Sequence, residues 1–313
     1  MTANIRTIPI ELLFRILQYV SHCQNGRSTI TSCLLVNREW RNVAHSLLYK
    51  DLVLLGGDQM DCFLACHDRQ AVRFITRSLT LRPMQKEGGW NKASYERLDA
   101  QILLLARDVI AHMEALESFS LSTHPEEAKL KLWILKSTIS TILKALPSTC
   151  VNLELFTRGG DEDKVKGVDG NPTHLCDDIR RLLPRMHHVR IDLSSVCEAM
   201  LGTWDLGGVF CPIKLACIQS LHIDCVGMGS RKRCDLGDND RYTQHTPVSL
   251  WDSIIQGLQR AVEFQETDTG KFTVLGSAAP GDDLNKDSYP IKTRASTISK
   301  NAISTHHSII SQC

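Results

Sequence analysis

The sequence predicts an α/β chain of two unequal parts, a three-helix unit over residues 1–55 and a region of repeated strands and helices over 56–276, followed by a tail over 277–313. Two observations predict the parts and a third the tail. Apolar residues within 5–54 recur at the spacing of helix faces. Farther on, one short apolar spacing returns five times with helical stretches between its copies. Beyond Gly276 the chain turns to Ser, Thr, Gly, Asp and Lys, which bury too little apolar surface to offset the entropy of ordering, and disorder is expected there.

The first helix is predicted over 8–20. Pro9 suits a first helical position, where its missing N–H would go unpaired anyway, and Glu11 follows where the helix dipole favours a negative charge. Leu12, Leu13, Ile16, Leu17 and Val20 then make one apolar face. Asn25-Gly26 signals a turn, after which Ser28 or Thr29 can cap a second helix carrying Ile30, Cys33, Leu34 and Leu35. A third helix is predicted from Glu39 to Tyr49, with Trp40, Val43, Ala44, Leu47 and Leu48 on its apolar side. The run Asp51 to Leu55 is strand-like and ends at Gly56-Gly57, the first boundary.

The string IPIELLFRILQYV, followed by LLVNREWRNVAHSLLYKDLVL, resembles the F-box motif, Leu-Pro-x-Glu-Leu-Leu-x-x-Ile-Leu and then Leu-Val-Cys-Arg-x-Trp-Arg. Ile8 replaces the leading Leu and Asn37 the common Cys, while the helix start, the Trp40-Arg41 pair and the closing Leu48-Tyr49 keep the order and spacing of the motif. The resemblance covers roughly a sixth of the chain. It implies a three-helix F-box that binds a small Skp-type adaptor and, through it, a cullin. Carried over by position, Ile8, Pro9, Glu11, Leu13, Ile16, Leu17, Val36 and Trp40 are candidates for docking the adaptor or for supporting the docking surface. A helical unit this small builds a marginal core and gains from a partner that covers its remaining apolar surface.

Downstream, five segments share the spacing apolar, two others, apolar, one other, apolar: Thr76 to Leu81, in which Thr76 is a poor first match, Leu116 to Leu121, Cys150 to Leu155, Met186 to Ile191 and Ile218 to Ile223. Their last members lie 40, 34, 36 and 32 residues apart. Helices are predicted between them at Tyr95 to Met113, Glu126 to Leu146, Leu175 to Leu183 and, more weakly patterned, Ser195 to Leu201. Repeated strand–helix units stack into a parallel sheet with helices outside. This resembles an irregular leucine-rich-repeat-like βα solenoid of the kind found in fungal F-box proteins, although the repeats exceed the usual length and lack the Asn or Cys that closes the standard motif. An ordinary α/β domain is the alternative. A last helix is predicted from Ser249 to Phe264, then a closing strand over Lys271 to Leu275. Gly159 to Pro172 and Gly227 to Pro247 are predicted loops, the usual carriers of recognition.

Composition narrows the function classes. Lys plus Arg number 36 against 35 for Asp plus Glu, so bulk charge attracts no nucleic acid. The amino-terminal apolar residues are interrupted by Arg6, Glu11 and Arg15, which fits neither a signal-peptide core nor a membrane span, and a cytoplasmic or nuclear location is expected. Twelve cysteines without a secretory pattern are expected to be reduced thiols in apolar sites. No nucleophile elbow, Walker loop, dinucleotide fingerprint or His-Glu-x-x-His is present, and neither catalysis nor a cofactor is expected. Cys62, Cys66 and His67 have a metal-like spacing but no second ligand pair, and Asp161-Glu162-Asp163 is a solvated run. His187 and His188 are assigned to surface and core by strand alternation. The expected function is that of the substrate-recognition subunit of a Skp-cullin-F-box ubiquitin ligase, holding an unidentified protein target. A solenoid scaffold outside any ligase, and an α/β enzyme with an unrecognised site, are the competing readings.

Overall fold

The computed structural model describes residues 8–23, 26–66, 68–83, 92–122, 134–157, 161–162, 174–193, 196–224, 250–263, 271–277, 293–298 and 308–310. Three helices come first: α1 (Ile10–Ser21), α2 (Gly26–Cys33) and α3 (Arg38–Lys50). They close on a small core of Leu13, Leu17, Ile30, Cys33, Val43 and Ala44, against which Ile8, Phe14, Val20, Leu34, Trp40, Leu47 and Leu48 pack. Pro9 stands one position earlier than predicted, as the cap residue of α1, and its carbonyl accepts from Leu13 N at 3.0 Å. α2 starts at Gly26, ahead of the predicted Ser28 or Thr29. Asn37 caps α3, its Oδ1 accepting from Trp40 N at 2.9 Å, which satisfies one of the orphan donors of the first turn.

α3 runs directly into β1 (Asp51–Leu55), whose Leu52 and Leu54 belong to a second, larger core. The cores therefore part at the end of α3, slightly before the predicted boundary at 55/56. Gly56, with φ of 73°, makes the left-handed turn that ends β1 and opens α4 (Gly56–Cys66). α5 (Arg69–Phe74) follows, capped by Asp68, which accepts from Gln70 N and Ala71 N at 2.9 and 3.1 Å. Neither helix was predicted. Asp68 also binds the two parts together: its N–H donates to Tyr49 Oη at 3.3 Å, and its carboxylate lies 3.5 Å from His45 Nε2.

The remaining elements are β2 (Ser78–Arg82), α6 (Lys92–Asp108), β3 (Ser118–Ser122), β4 (Ile134–Leu135), α7 (Lys136–Ala145), β5 (Asn152–Phe156), β6 (Asp161–Glu162), α8 (Leu175–Leu182), β7 (His188–Asp192), β8 (Gly202–Trp204), β9 (Phe210–Pro212), β10 (Ser220–Asp224), α9 (Leu250–Glu263), β11 (Lys271–Ser277), β12 (Thr293–Ile298) and β13 (Ser308–Ile310). The principal sheet has the order β1-β2-β3-β5-β7-β10-β11-β12-β13, and its first seven strands are parallel. Each parallel neighbour is also the next principal strand in sequence, so the strands are laid down in one direction along the sheet.

The backbone repeats one device at the entry to these strands. The carbonyl of Lys50 accepts from Arg77 N, that of Arg77 from Glu117 N and Ser118 N, that of Glu117 from Val151 N and Asn152 N, that of Val151 from His187 N, and that of His187 from Gln219 N and Ser220 N. Side chains then divide by the two-residue strand period. Leu79 and Leu81, Phe119 and Leu121, Leu153 and Leu155, Val189 and Ile191, and Leu221 and Ile223 point into the large core. The first members of the five repeated segments, Thr76 included, are buried in the turns that precede the strands. The core is completed by Leu98, Ile102 and Leu105 of α6, Ile139, Ile142 and Leu143 of α7, Leu175, Ile179 and Leu182 of α8, and Ile254, Leu258 and Ala261 of α9. The helices therefore cover one face of the parallel sheet.

Several elements differ from the prediction. α7 begins at Lys136, because Ile134 and Leu135 pair as a strand with Asp161 and Glu162; the predicted start at Glu126 lies outside the described residues. Of the predicted helix Ser195 to Leu201, the described residues 196–201 hold a 3₁₀ turn at Glu198–Met200 and no α-helix, and the β8–β9 hairpin follows. His188 is exposed and His187 half-buried, since Val189 and Ile191 take the inward positions and alternation sends His188 outward. Strands β12 and β13, antiparallel to their neighbours, fall in the stretch where composition predicts disorder. The predicted loops Gly159 to Pro172 and Gly227 to Pro247 lie outside the described residues apart from Asp161 and Glu162. Among the described residues no helix is long and apolar enough to cross a membrane.

One-sided burial has a measurable consequence in adjacent residues. Leu81→Ala removes a fully buried side chain and is expected to cost about 2–5 kcal/mol, whereas Thr80→Ala, on the open face, should change stability by less than about 0.5 kcal/mol. Urea unfolding of the two variants checks this, and equal losses would contradict a sheet covered on one face.

Candidate functional site

The uncovered face of the sheet carries two polar rows set by the strand register. Ser78, Ser118, Asn152, His188 and Ser220 occupy one row; Thr80, Ser120, Glu154, Arg190 and His222 occupy the next. Neighbouring strands join them by hydrogen bonds: Asn152 Nδ2 donates to Ser118 Oγ at 2.9 Å, Ser120 Oγ donates to Glu154 Oε2 at 2.7 Å, and His188 Nδ1 meets Ser220 Oγ at 2.8 Å. Glu154 pairs with Arg190 at 3.3 Å, and the guanidinium stacks 4.8 Å above the Phe156 ring. The two rows, Thr80 excepted, line a shallow, open depression of about 370 Å³. Such a surface can exchange hydrogen bonds with a peptide chain and offers one neutralised ion pair at its centre. The histidine–serine pair would need an enclosed site and a partner orienting the imidazole to act as a nucleophile and base, and the depression is open.

His222 sits at the same centre. Burial is the main cause that lowers its pKa from the usual value, the Arg190 guanidinium adds to it, and Asp224 opposes both. The imidazole is thus held neutral, and its contribution to stability is present above the ordinary histidine value and lost as pH falls through the lowered one.

The resemblance residues of the amino-terminal unit fall into three positions. Leu13 and Leu17 are buried in the small core and support the surface from behind. Ile8 and Trp40 are half-buried against that core. Pro9, Glu11, Ile16 and Val36 are exposed. Ile16 belongs to a second apolar stripe on α1, Leu12, Ile16 and Tyr19, spaced one helical turn apart and lying beside the buried stripe; Ile16 is 47% and Tyr19 77% exposed. Leu35, 85% exposed, and Val36 add apolar surface in the turn before α3, a turn fixed by Arg41 Nε donating to Leu34 O at 3.0 Å. Sequence reading had put Leu12 on the same face as Leu13; the structure separates them because the helix buries only the narrower stripe.

Cys62 is exposed, and its expected companions Cys66 and His67 lie outside the residues whose side chains are described. Cys150 is buried, and burial pushes its thiol up to about 11, which leaves it neutral. Among the described residues, one group of metal-ligand type converges: His174, Cys176 and Cys197. Sequence reading missed it because His-x-Cys and a cysteine far along the chain form no recognised spacing.

Arg190→Gln is expected to raise the His222 pKa, with burial still holding it below the ordinary histidine value. Titration of the imidazole by NMR reads the shift, and a lowered value in the variant would contradict the stated balance. Compared with family models, with curated proteins and with solved structures, the chain matches none of them.

Proposed function

We propose that the chain is a non-catalytic adaptor of the F-box type, the substrate-recognition subunit of a Skp-cullin-F-box ubiquitin ligase. The observation that carries this reading is the exposed apolar stripe Leu12, Ile16 and Tyr19 on a three-helix unit with a core of its own. Contiguous apolar side chains left open on a helix call for a covering partner, and an amphipathic helix meets such a partner through residues at i, i+4 and i+7. The F-box resemblance names that partner as a Skp-type adaptor, and through it a cullin. In this reading Leu13 and Leu17 hold the helix in place while Ile16 and Val36, joined by Leu12 and Leu35, touch the adaptor.

The second part is an irregular leucine-rich-repeat-like βα solenoid in the same proposal. Three features support it: parallel strands in sequential order, one carbonyl device repeated at their entries, and helices covering one face. The open polar rows then hold a protein target, and the assembled ligase gains rate by keeping that target beside a ubiquitin-charged enzyme. A solenoid scaffold that joins no ligase shares the sheet but has no use for the adaptor.

Co-purification of the full chain with a Skp-type adaptor separates the two. Leu12→Asp with Ile16→Asp alters exposed positions only, so the variant should keep the melting temperature while losing about 2 kcal/mol or more of adaptor binding, roughly thirtyfold in Kd. Binding unchanged in a folded variant would remove the stripe from the interface, and failure of the unaltered chain to bind would overturn the ligase reading in favour of the scaffold.

A further inference from the structure

We propose that His174, Cys176 and Cys197 form a binding site for a thiophilic divalent cation of the zinc class. Their ligand atoms all lie within 4.8 Å of one another. His174 stands at the cap position of α8, Cys176 in its first turn, and Cys197 in the segment that follows β7, so the site joins α8 to the β7–β10 connection beyond the carboxyl end of the parallel strands. A tetrahedral ion with two sulfur ligands and one nitrogen ligand places them roughly 3.5–3.8 Å apart. His174 Nε2 is already 3.1 Å from Cys197 Sγ and must open by a few tenths of an ångström, while the widest pair, within 4.8 Å, closes by at most about 1 Å to seat an ion.

The surroundings are those a thiolate–imidazole site requires. His174 Nδ1 meets Asp177 Oδ2 at 2.9 Å; an N–H donated there fixes the tautomer and leaves the Nε2 lone pair facing the sulfurs. Asp177 is itself held, its Oδ1 lying 2.7 Å from the Arg180 guanidinium. The N–H of Cys197 donates to Cys176 Sγ at 3.3 Å, a bond that favours negative charge on that sulfur. Arg180 also donates to Ala199 O at 2.7 Å and Gly202 O at 3.2 Å, so one side chain clamps both halves of the site.

Charge and access favour a cation over a nucleophile. Two thiolates and a divalent ion sum to zero, which a buried site tolerates. Binding releases the two thiol protons to solvent and changes no oxidation state. Asp177, His174 and Cys197 also have the order of a Cys-His-Asp relay, but that chemistry needs sulfur open to a substrate, and Cys197 is 4% exposed with a second thiol against it. Three protein ligands leave a fourth position for water.

The full chain, stripped with a chelator under reducing conditions, is titrated with Co²⁺ and then Zn²⁺. One equivalent of Co²⁺ should give thiolate-to-metal charge-transfer absorption and tetrahedral visible bands, Zn²⁺ should abolish both, and Zn²⁺ should protect Cys176 and Cys197 from alkylation. Cys176→Ser and Cys197→Ser should each reduce the charge-transfer intensity, Cys211→Ser should leave it unchanged, and Asp177→Asn, which keeps every ligand, should weaken binding about 10–100-fold. Absence of charge transfer in the unaltered folded chain, bands that persist in both Cys→Ser variants, or alkylation of Cys197 indifferent to Zn²⁺ would each overturn the site.

Discussion

Everything in the larger part of the molecule depends on one constraint: seven strands are parallel neighbours in their order of synthesis, and the described helices between them pack on the same face. A parallel pair cannot be joined by a tight turn, so each connection must span the sheet and bring its own apolar surface. The carbonyls of Lys50, Arg77, Glu117, Val151 and His187 fix where each strand enters beside the last. A slip of one residue in any strand would turn its own inward pair outward, Leu79 with Leu81 in β2 or Val189 with Ile191 in β7. The hydrophobic core and the backbone ladder therefore specify the same register.

The opposite face is free of that demand. Its residues pair with polar neighbours one strand away, Ser120 with Glu154, Glu154 with Arg190, and His188 with Ser220. Such pairs contribute little to stability at an exposed surface, but they order a row of donors and acceptors over several strands. A surface that stability does not claim is available for recognition, and this is the physical basis for the proposal that it binds a target.

The parts of this fold that were legible in the sequence are those where periodicity and burial coincide. Leu116, Phe119 and Leu121 announce β3 because the turn and the strand bury all three; Thr76 broke the apolar pattern yet is just as buried, so the spacing was truer than the residue types. α4 was hidden by Gly56-Gly57, where a turn and a helix start coincide. The β8–β9 hairpin did have a local signal in Asp205, Gly207 and Gly208: Asp205 Oδ1 accepts from Gly207 N and Val209 N at 2.9 and 2.8 Å, and Gly208 has a φ of 76°. The open polar rows could not be read from any one strand, since they exist only across the register. His174, Cys176 and Cys197 meet through the packing of α8 on a distant segment, and spacing along the chain contains no trace of that.

That packing explains why the cluster lies where it does. Between β7 and β10 the described residues hold no α-helix, only the turn at Glu198–Met200 and the hairpin, so the connection lacks the regular hydrogen bonding that fastens its neighbours. It is held from both sides instead. On one side Arg180 of α8 binds the carbonyls of Ala199 and Gly202; on the other, α9 packs at Gly257 against Leu201 and Phe210, while Gly202 admits Cys211 and Phe210 where a Cβ would collide with both. An ion shared by Cys197 and the two ligands at the start of α8 would tie the same connection at its first residues. The cross-link would then do for this unit what a helix packed on the sheet does for the units around it.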